Sequence, residues 1–197
     1  RAILEDHEGA LWIGTHGGGL SKLDVNTGKF KNYQNDPSDN KGIFSHQVRA
    51  LYEDKDGILW VGNDALSRFD RKTGEFVHYF NIPDDENSLS DNSVRSIYED
   101  SKGNLWIGTL RGGLNMYNKK TGRFTHWRAQ QGLPNDVIYG VLGDNHDNIW
   151  MSTNRGISML DVKENKFSNY DINDGLQSNE FSSGAYFKSK SGELFFG

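Results

Sequence analysis

The chain has 197 residues, of which 35% are hydrophobic, and a formal net charge of −5. Its length is that of about one large domain, and no run approaches the roughly 18 apolar residues of a membrane helix, so no membrane span is predicted in this fragment. The acidic balance argues against nucleic acid as a partner, because no basic stripe could neutralise phosphates. Cysteine is absent, which excludes disulfides and thiolate metal sites.

One sequence element recurs five times along the chain. It places a leucine or isoleucine before an aromatic residue, and in its first three copies an isoleucine or valine and then a glycine follow. The aromatic residues are Trp12, Trp60, Trp106, Trp150 and Phe195, spaced 44 to 48 residues apart. A period of roughly 40–50 residues is typical of propeller blades and predicts a repeat protein.

Each complete unit contains four short runs rich in aromatic and branched residues. The first run opens at Val48, Val94 or Ile138, and the aromatic element forms the second. Two further runs follow, and the last ends in an aromatic pair such as Phe124 and Trp127. Apolar and polar residues alternate without helical periodicity, which predicts four β-strands per unit. We label these strands A to D.

The turns between the runs indicate tight hairpins. The A–B and C–D turns carry glycines, which are Gly9, Gly57, Gly103, Gly28, Gly74 and Gly122. Glycine adopts the positive φ of such turns without steric cost. In the fourth unit we expect Asn148 and Asn165 to take this conformation instead, because asparagine tolerates it next best.

The fold predicted from these repeats is an all-β β-propeller with four-stranded antiparallel blades. The chain supplies four blades and the start of a fifth, with repeat units predicted at residues 1–47, 48–93, 94–137, 138–182 and, incomplete, 183–197. A β-solenoid would have much shorter rungs. Because closed rings commonly contain more blades, we expect further blades in the parent chain. The isolated segment is then expected to aggregate through its unpaired strand edges.

Antiparallel strand order divides the loops between two faces. The A–B and C–D turns share one, the turn face, and the B–C and D–A loops share the other, the loop face. The loops of the loop face differ from unit to unit in length and sequence. Varied loops on a rigid frame commonly carry recognition, so we expect any binding site on the loop face.

Repetition favours structural roles for the most conspicuous residues. The five aligned aromatic residues are predicted to pack between blades, not to form a sugar platform. Asp54 and Asp56 belong to plain hairpins, which disfavours a calcium site. The six histidines lack zinc-ligand spacing, and no nucleophile or phosphate-loop motif is present. We therefore predict no enzyme activity, no metal and no cofactor for this fragment.

Residues 94–109 and 112–117 resemble the two-component regulator propeller repeat, and the pattern returns at 48–70 and 138–161. Residues 174–187 are similar to what this family shows near the end of its second propeller. The family forms the periplasmic part of hybrid sensor histidine kinases in polysaccharide-degrading bacteria. The resemblance implies a periplasmic ectodomain of an inner-membrane protein, a homodimeric parent receptor and detection of oligosaccharides. The signal then passes through a membrane helix to a cytoplasmic kinase.

Two groups of residues are candidates for the loop face. The first residues of the A strands, Arg1, Arg49, Arg95 and Tyr139, are expected near the mouth of the central channel, where the arginines could pair with carboxylates such as Asp91.

The candidate ligand contacts are the residues that interrupt the repeat on the loop face: His16, Asn63, Arg111, Tyr139, Asn154 and Arg155. Arginine suits carboxylate or sulfate groups, asparagine suits hydroxyls, and tyrosine suits a sugar face. Two functions remain open, which are a ligand-sensing module and a non-catalytic scaffold that docks a protein or another domain.

Overall fold

A computed structural model describes all residues from 1 to 197 and contains 18 strands and two short 3-10 helices. The first blade contains β1 (Ala2–Glu5), β2 (Leu11–Gly14), β3 (Leu20–Asp24) and β4 (Lys29–Tyr33). The second contains β5 (Ala50–Glu53), β6 (Leu59–Gly62), β7 (Leu66–Phe69) and β8 (Phe76–Tyr79). The third contains β9 (Val94–Glu99), β10 (Leu105–Thr109), β11 (Leu114–Asn118) and β12 (Arg123–Trp127).

The fourth blade contains β13 (Ile138–Gly143), β14 (Ile149–Thr153), β15 (Gly156–Asp161) and β16 (Lys166–Tyr170). The partial fifth contains β17 (Tyr186–Lys188) and β18 (Leu194–Phe196). The 3-10 helices span Ala129–Gln131 and Ile172–Asp174. No helix has the length and apolar character needed to cross a membrane.

Each complete blade is an antiparallel sheet whose strands follow chain order. The A strands β1, β5, β9, β13 and β17 contact one another in succession and line the inside of the arrangement. The segment before β17 returns to the first blade, where a Cβ atom on Gly184 would lie 4.0 Å from the backbone oxygen of Arg1. The predicted fold, a β-propeller of four blades and a partial fifth, is confirmed.

The glycine that follows each B-strand aromatic element marks close contact between blades. A Cβ atom on Gly14 would lie 2.4 Å from Cγ1 of Val48, and one on Gly62 would lie 2.7 Å from Cγ1 of Val94. The backbone is joined at the same place, since Val48 N–H donates to the oxygen of Thr15 at 2.9 Å. β5 itself starts at Ala50, two residues after the start of the predicted run.

The turns of the fourth blade correct one expectation. Asn165 takes positive φ, at 51°, as predicted, but in the A–B turn the residue with positive φ is Asp147, at 67°. The prediction for Asn148 was wrong because the turn residue lies three positions before the aromatic residue, which in this blade is Trp150. Asn148 instead donates its side-chain N–H to Oδ2 of Asp144 at 2.9 Å.

The repeated aromatic residues differ in burial along the chain. Trp12, Trp60 and Trp106 are at most 1% exposed, and each lies in a core cluster formed with the following blade. Trp150 is half-buried and stacks on Tyr170 of its own blade, with ring centroids 5.9 Å apart. Phe195 is 54% exposed. Burial therefore depends on how much of the next blade covers each ring.

Candidate ligand-binding site

Two A strands begin with a β-bulge. In β9, Val94 pairs with Thr109 and Ser96 with Gly108, which leaves Arg95 as the extra residue. The same irregularity in β13 leaves Tyr139 outside the pairing with β14. A bulge bends its strand and redirects a side chain, and bulges are common beside binding sites. The local fold thus singles out Arg95 and Tyr139 at equivalent positions.

Arg1 and Arg49 hold the corresponding positions of the first two blades, directly before β1 and β5. The pKa of Arg95 is lowered by burial and by repulsion from Arg49 and Arg1, against weaker opposing effects of Tyr139 and Asp64. Arg1, Arg49 and Tyr139 of the other three blades thus lie close enough to Arg95 to affect its charge, on A strands that contact one another in succession. We call the set Arg1, Arg49, Arg95 and Tyr139 the mouth.

Two of the three guanidinium nitrogens of Arg49 are engaged by neighbouring side chains, and its Nε is buried without an acceptor. Its Nη1 donates to Oδ1 of Asp64 and its Nη2 to Oε1 of Gln47, both at 2.8 Å. Asp64 also accepts a hydrogen bond from the Ser45 hydroxyl at 2.6 Å. Burial would raise the pKa of Asp64, but the hydrogen bonds from Ser45 and Arg49 outweigh it and lower the pKa. Asp64, the carboxylate that favours the charged form of Arg95, is thus already bound.

Arg95 differs from Arg49 in its contacts. Its guanidinium forms no ion pair, whereas that of Arg49 pairs with Asp64, and the Nε atoms of both arginines are buried without a hydrogen-bond acceptor. Buried polar groups in proteins normally have partners, so an unpaired, partly buried cation is unusual. Asp91, the carboxylate expected near the mouth arginines, contacts Arg111 instead, with Nε 3.4 Å from Oδ2.

The other predicted ligand contacts are spread over the loop face. His16 is exposed and forms an isolated bridge with Gln47. Asn63 is fully buried, and its Oδ1 accepts the backbone N–H of Ala65 at 2.8 Å. Asn63 therefore shapes its own turn and has no surface on which a ligand could rest. Asn63 is therefore not part of the proposed ligand site.

Arg111 and Arg155 are both solvent-facing, and they lie in different blades. The Arg111 side chain is 75% exposed. Arg155 lines a cleft of about 350 Å³ beside Tyr170 and Asp171. Asn154, next to it, keeps a buried Oδ1 without a donor. The structure thus brings Tyr139 to the mouth, whereas Arg155 belongs to a separate cleft.

The sequence reasoning missed an aspartate that supports each blade aromatic residue. In all four complete blades the indole Nε1 donates to Oδ2 of the aspartate six residues earlier. The distances are 2.7 Å for Trp12 and Asp6, 2.8 Å for Trp60 and Asp54, 2.9 Å for Trp106 and Asp100, and 3.0 Å for Trp150 and Asp144. The constant spacing was a visible signal. Buried indole nitrogens generally require such a partner.

Two cations join neighbouring blades on the turn face, and we call their contacts the turn-face clamps. Arg71 of the second blade contacts Asp6 of the first at 2.8 Å and also pairs with Glu53. Burial alone would raise the pKa of Asp6, but hydrogen bonds from Arg71 and Trp12 lower it to about 2.

Lys119 of the third blade forms the second turn-face clamp. Its Nζ lies 3.0 Å from Asp54, 2.8 Å from Asp56 and 2.7 Å from Glu99. These three carboxylates are close enough to hold a metal ion. The ammonium group of Lys119 already supplies the positive charge among them. The two aspartates considered for calcium thus act as partners of a lysine.

The outer D strands are held by one repeated hydrogen bond. The second-to-last residue of the strand donates to a backbone oxygen of the D–A loop that leads into the same blade. The pairs are His78 Nε2 to Gly42 at 3.0 Å, His126 Nε2 to Ser88 at 2.6 Å, and Asn169 Nδ2 to Gly132 at 3.0 Å.

We expect these histidines to make stability depend on pH. Burial lowers the pKa of His78 and of His126, so the folded protein keeps both rings neutral. The unfolded chain binds protons more readily than the folded protein does. The stability that the two neutral histidines contribute is therefore complete above pH about 6.5 and is lost as pH falls below that value. The double variant His78→Asn and His126→Asn should keep the bonds, as Asn169 does, and flatten this dependence. Melting temperatures between pH about 7.5 and about 5.5 test it, and an unchanged slope contradicts it.

Four segments of the chain match the family model described as Two component regulator propeller: residues 1–17, 42–65, 88–111 and 132–155. The later three begin in a D–A loop and include strands A and B of a blade. The chain is built from two-component regulator propeller repeats. The match extends to the fourth blade, although Ser152 replaces the repeated glycine there.

Relatives of this propeller include signalling proteins. Histidine kinase P4 of Formosa agariphila is 35% identical over 200 residues, which is 98% of this chain and 14% of that protein. An extracellular domain from B. thetaiotaomicron, described as that of a hybrid two component system, superposes with a TM-score of 0.82 at 23% sequence identity. The match covers 99% of this chain and 28% of the B. thetaiotaomicron chain.

A second extracellular domain from B. thetaiotaomicron with the same description has a TM-score of 0.57 at 28% identity, over 99% of this chain and 32% of its own. The chain thus spans 14% of the curated relative and about a third or less of these two structures. It is a propeller region related to the extracellular regions of hybrid two-component systems.

Proposed function

We propose that this propeller is a ligand-sensing part of the periplasmic region of a hybrid two-component sensor kinase and that it detects oligosaccharides. The parent protein would be a homodimeric inner-membrane receptor. Ligand would bind on the loop face and signal through a membrane helix to a cytoplasmic kinase. The relatives' descriptions support the signalling part of this proposal.

The observation that carries the ligand-sensing part is the mouth. Side chains from four blades lie there within electrostatic range, and the two β-bulges redirect Arg95 and Tyr139 out of the regular pairing. A ligand held at the mouth would touch several blades at once. Binding would then alter how the blades pack against one another, and signalling would follow as a population shift.

We also propose that this propeller has no catalytic activity. Its exposed arginines and asparagines bind and orient polar groups, but none is paired with a nucleophile and a base in the arrangement that covalent catalysis requires. The half-buried His78 and His126 donate to backbone oxygens and hold loops, and the Ser67 hydroxyl that His78 also contacts is fully buried. A carbohydrate that binds should therefore be recovered unchanged.

A scaffold that docks a protein is the second candidate, and apolar side chains on the loop face favour it. Phe44 is 43% exposed and packs on Phe80 with ring centroids 4.8 Å apart, and Ile82 is 55% exposed. Calorimetric titration of the intact sensor region with a panel of neutral and acidic oligosaccharides separates the two functions. Saturable binding supports the sensor, and no binding across the panel contradicts it.

The arginines outside the mouth provide a residue-level test. The variant with Arg111→Ala and Arg155→Ala removes two solvent-facing side chains, so its melting temperature should match the parent and its stability should change by less than about 0.5 kcal/mol. If ligand bridges from the mouth onto these loops, affinity for an oligosaccharide found in the panel should fall about tenfold, because charge-assisted hydrogen bonds are lost. Unchanged affinity and stability would place the ligand away from both arginines.

A further inference from the structure

We propose that the mouth contains an anion subsite, in which the guanidinium of Arg95 binds a carboxylate or sulfate group of a carbohydrate ligand. This inference rests on the proposed sensor function and specifies its ligand class as an acidic sugar. Arg1, Arg49 and Tyr139 surround the subsite, and Arg95 is its principal contact.

The charge balance at the mouth is the first argument. Arg49 and Arg1 repel the charge on Arg95 across successive A strands that contact one another, and Asp64 is the carboxylate that opposes this repulsion. Asp64 is already bound by Arg49 and Ser45. The mouth is therefore locally positive in a protein whose formal net charge is −5. An incoming anion would relieve the repulsion among three guanidinium groups.

The second argument is the unsatisfied hydrogen-bonding capacity of Arg95. The Nε atom is buried without an acceptor, and the guanidinium forms no ion pair. Leaving such a group desolvated and unpaired costs folding free energy. A carboxylate or sulfate presents two oxygens that match the two terminal nitrogens of the guanidinium, whereas the buried Nε stays out of reach of the ligand.

The third argument is that the backbone of Arg95 is held by the fold. Arg95 is the extra residue of a β-bulge, between Val94 and Ser96, which are both fully buried. Its neighbours in the strand therefore fix the backbone from which it projects. Tyr139 occupies the equivalent bulge of the next blade, so its phenol is available to a hydroxyl or ring of the same sugar. A preorganised cation loses little entropy when an anion binds.

The test uses the intact sensor region and four probes: glucuronate, glucose, inorganic sulfate and chloride at matched ionic strength. We expect glucuronate and sulfate to give saturable binding by calorimetry and a rise in melting temperature that glucose and chloride do not give. In Arg95→Met the affinity for glucuronate should fall at least about tenfold, as expected for loss of charge-assisted hydrogen bonds. Its melting temperature without ligand should not fall, because no protein contact of the guanidinium is lost.

Arg123→Met is the matched control, because Arg123 is exposed on the outer strand β12. It should bind glucuronate as the parent does. Equal binding of glucuronate and glucose by the parent, or equal affinity in Arg95→Met, overturns the subsite. Binding of sulfate without glucuronate overturns the carbohydrate assignment. Neutral oligosaccharides that bind without anion preference would remove the subsite and leave the sensor function standing, whereas failure of every oligosaccharide removes the sensor function itself.

Discussion

Replacing Trp106 by alanine should lower the stability of the propeller by about 3–5 kcal/mol, as truncation of buried core aromatics does. The ring is fully buried among side chains of the fourth blade, including Val141, Met151 and Leu160. Its loss opens a cavity between blades and removes one of the hydrogen bonds to the carboxylate of Asp100, which accepts the indole N–H at 2.9 Å.

Trp150→Ala is the internal control for this prediction. Trp150 has the same aspartate contact but is only half-buried, so its truncation should cost clearly less. Thermal melting of the intact sensor region gives the ranking, and hydrogen exchange locates the damage. Faster exchange in β10, β14 and β15, with β2 unaffected, is the expected pattern. A Trp106→Ala variant that melts like the parent contradicts the packing role.

Lys119→Met should cost about 3–5 kcal/mol, because it leaves buried carboxylates without their cation. The side chains of Asp54 and Glu99 are at most 1% exposed, and both contact Nζ of Lys119. These residues come from two blades, so the loss acts on the interface between the second and third blades. Loss of the Arg71 cation should lower stability in the same way at the interface between the first and second blades.

The neighbouring residue supplies the control for Lys119. Lys120 is exposed, and Lys120→Met should melt within error of the parent. Adding Glu99→Gln to Lys119→Met should recover part of the loss, since one of the uncompensated charges is removed. Equal stability of Lys119→Met and Lys120→Met in urea unfolding would show that the turn-face clamp contributes nothing.

The fold could be predicted from the chain because the information for one blade is local. The A strand, the aromatic element and the turn glycines lie within a few residues of each other, and five copies report the same pattern. One prediction assigned the turn position of the fourth blade one residue too late, because Asp147, not Asn148, adopts the left-handed conformation. The burial of Trp150 and Phe195 could not be inferred from repetition, because it depends on the blade that follows.

The candidate site was harder to predict because its contacts cross between blades. Departure from the repeat selected Tyr139 but also Asn63, which the structure buries in a turn. The same criterion did not select Arg95, because arginine recurs at that position of the repeat. Whether a repeated arginine has a partner depends on which carboxylate reaches it, and Asp64 reaches Arg49 whereas Asp91 reaches Arg111. No local pattern contains that information.

The turn-face clamps also specify the order of the blades. Lys119 meets Asp54 and, two residues later, Asp56 of the preceding blade. In the third blade the residue two positions after Asp100 is Lys102, and the fourth blade presents the neutral Val162 where Lys119 would stand.

A tandem duplication of the third blade would therefore set the copied Lys119 against Lys102 in place of Asp56, while Asp100 would stand where Asp54 does. The new junction would exchange one attraction between exposed charges for a repulsion. The transferable module of this propeller is the junction between two blades, because the charges at each junction come from both of them.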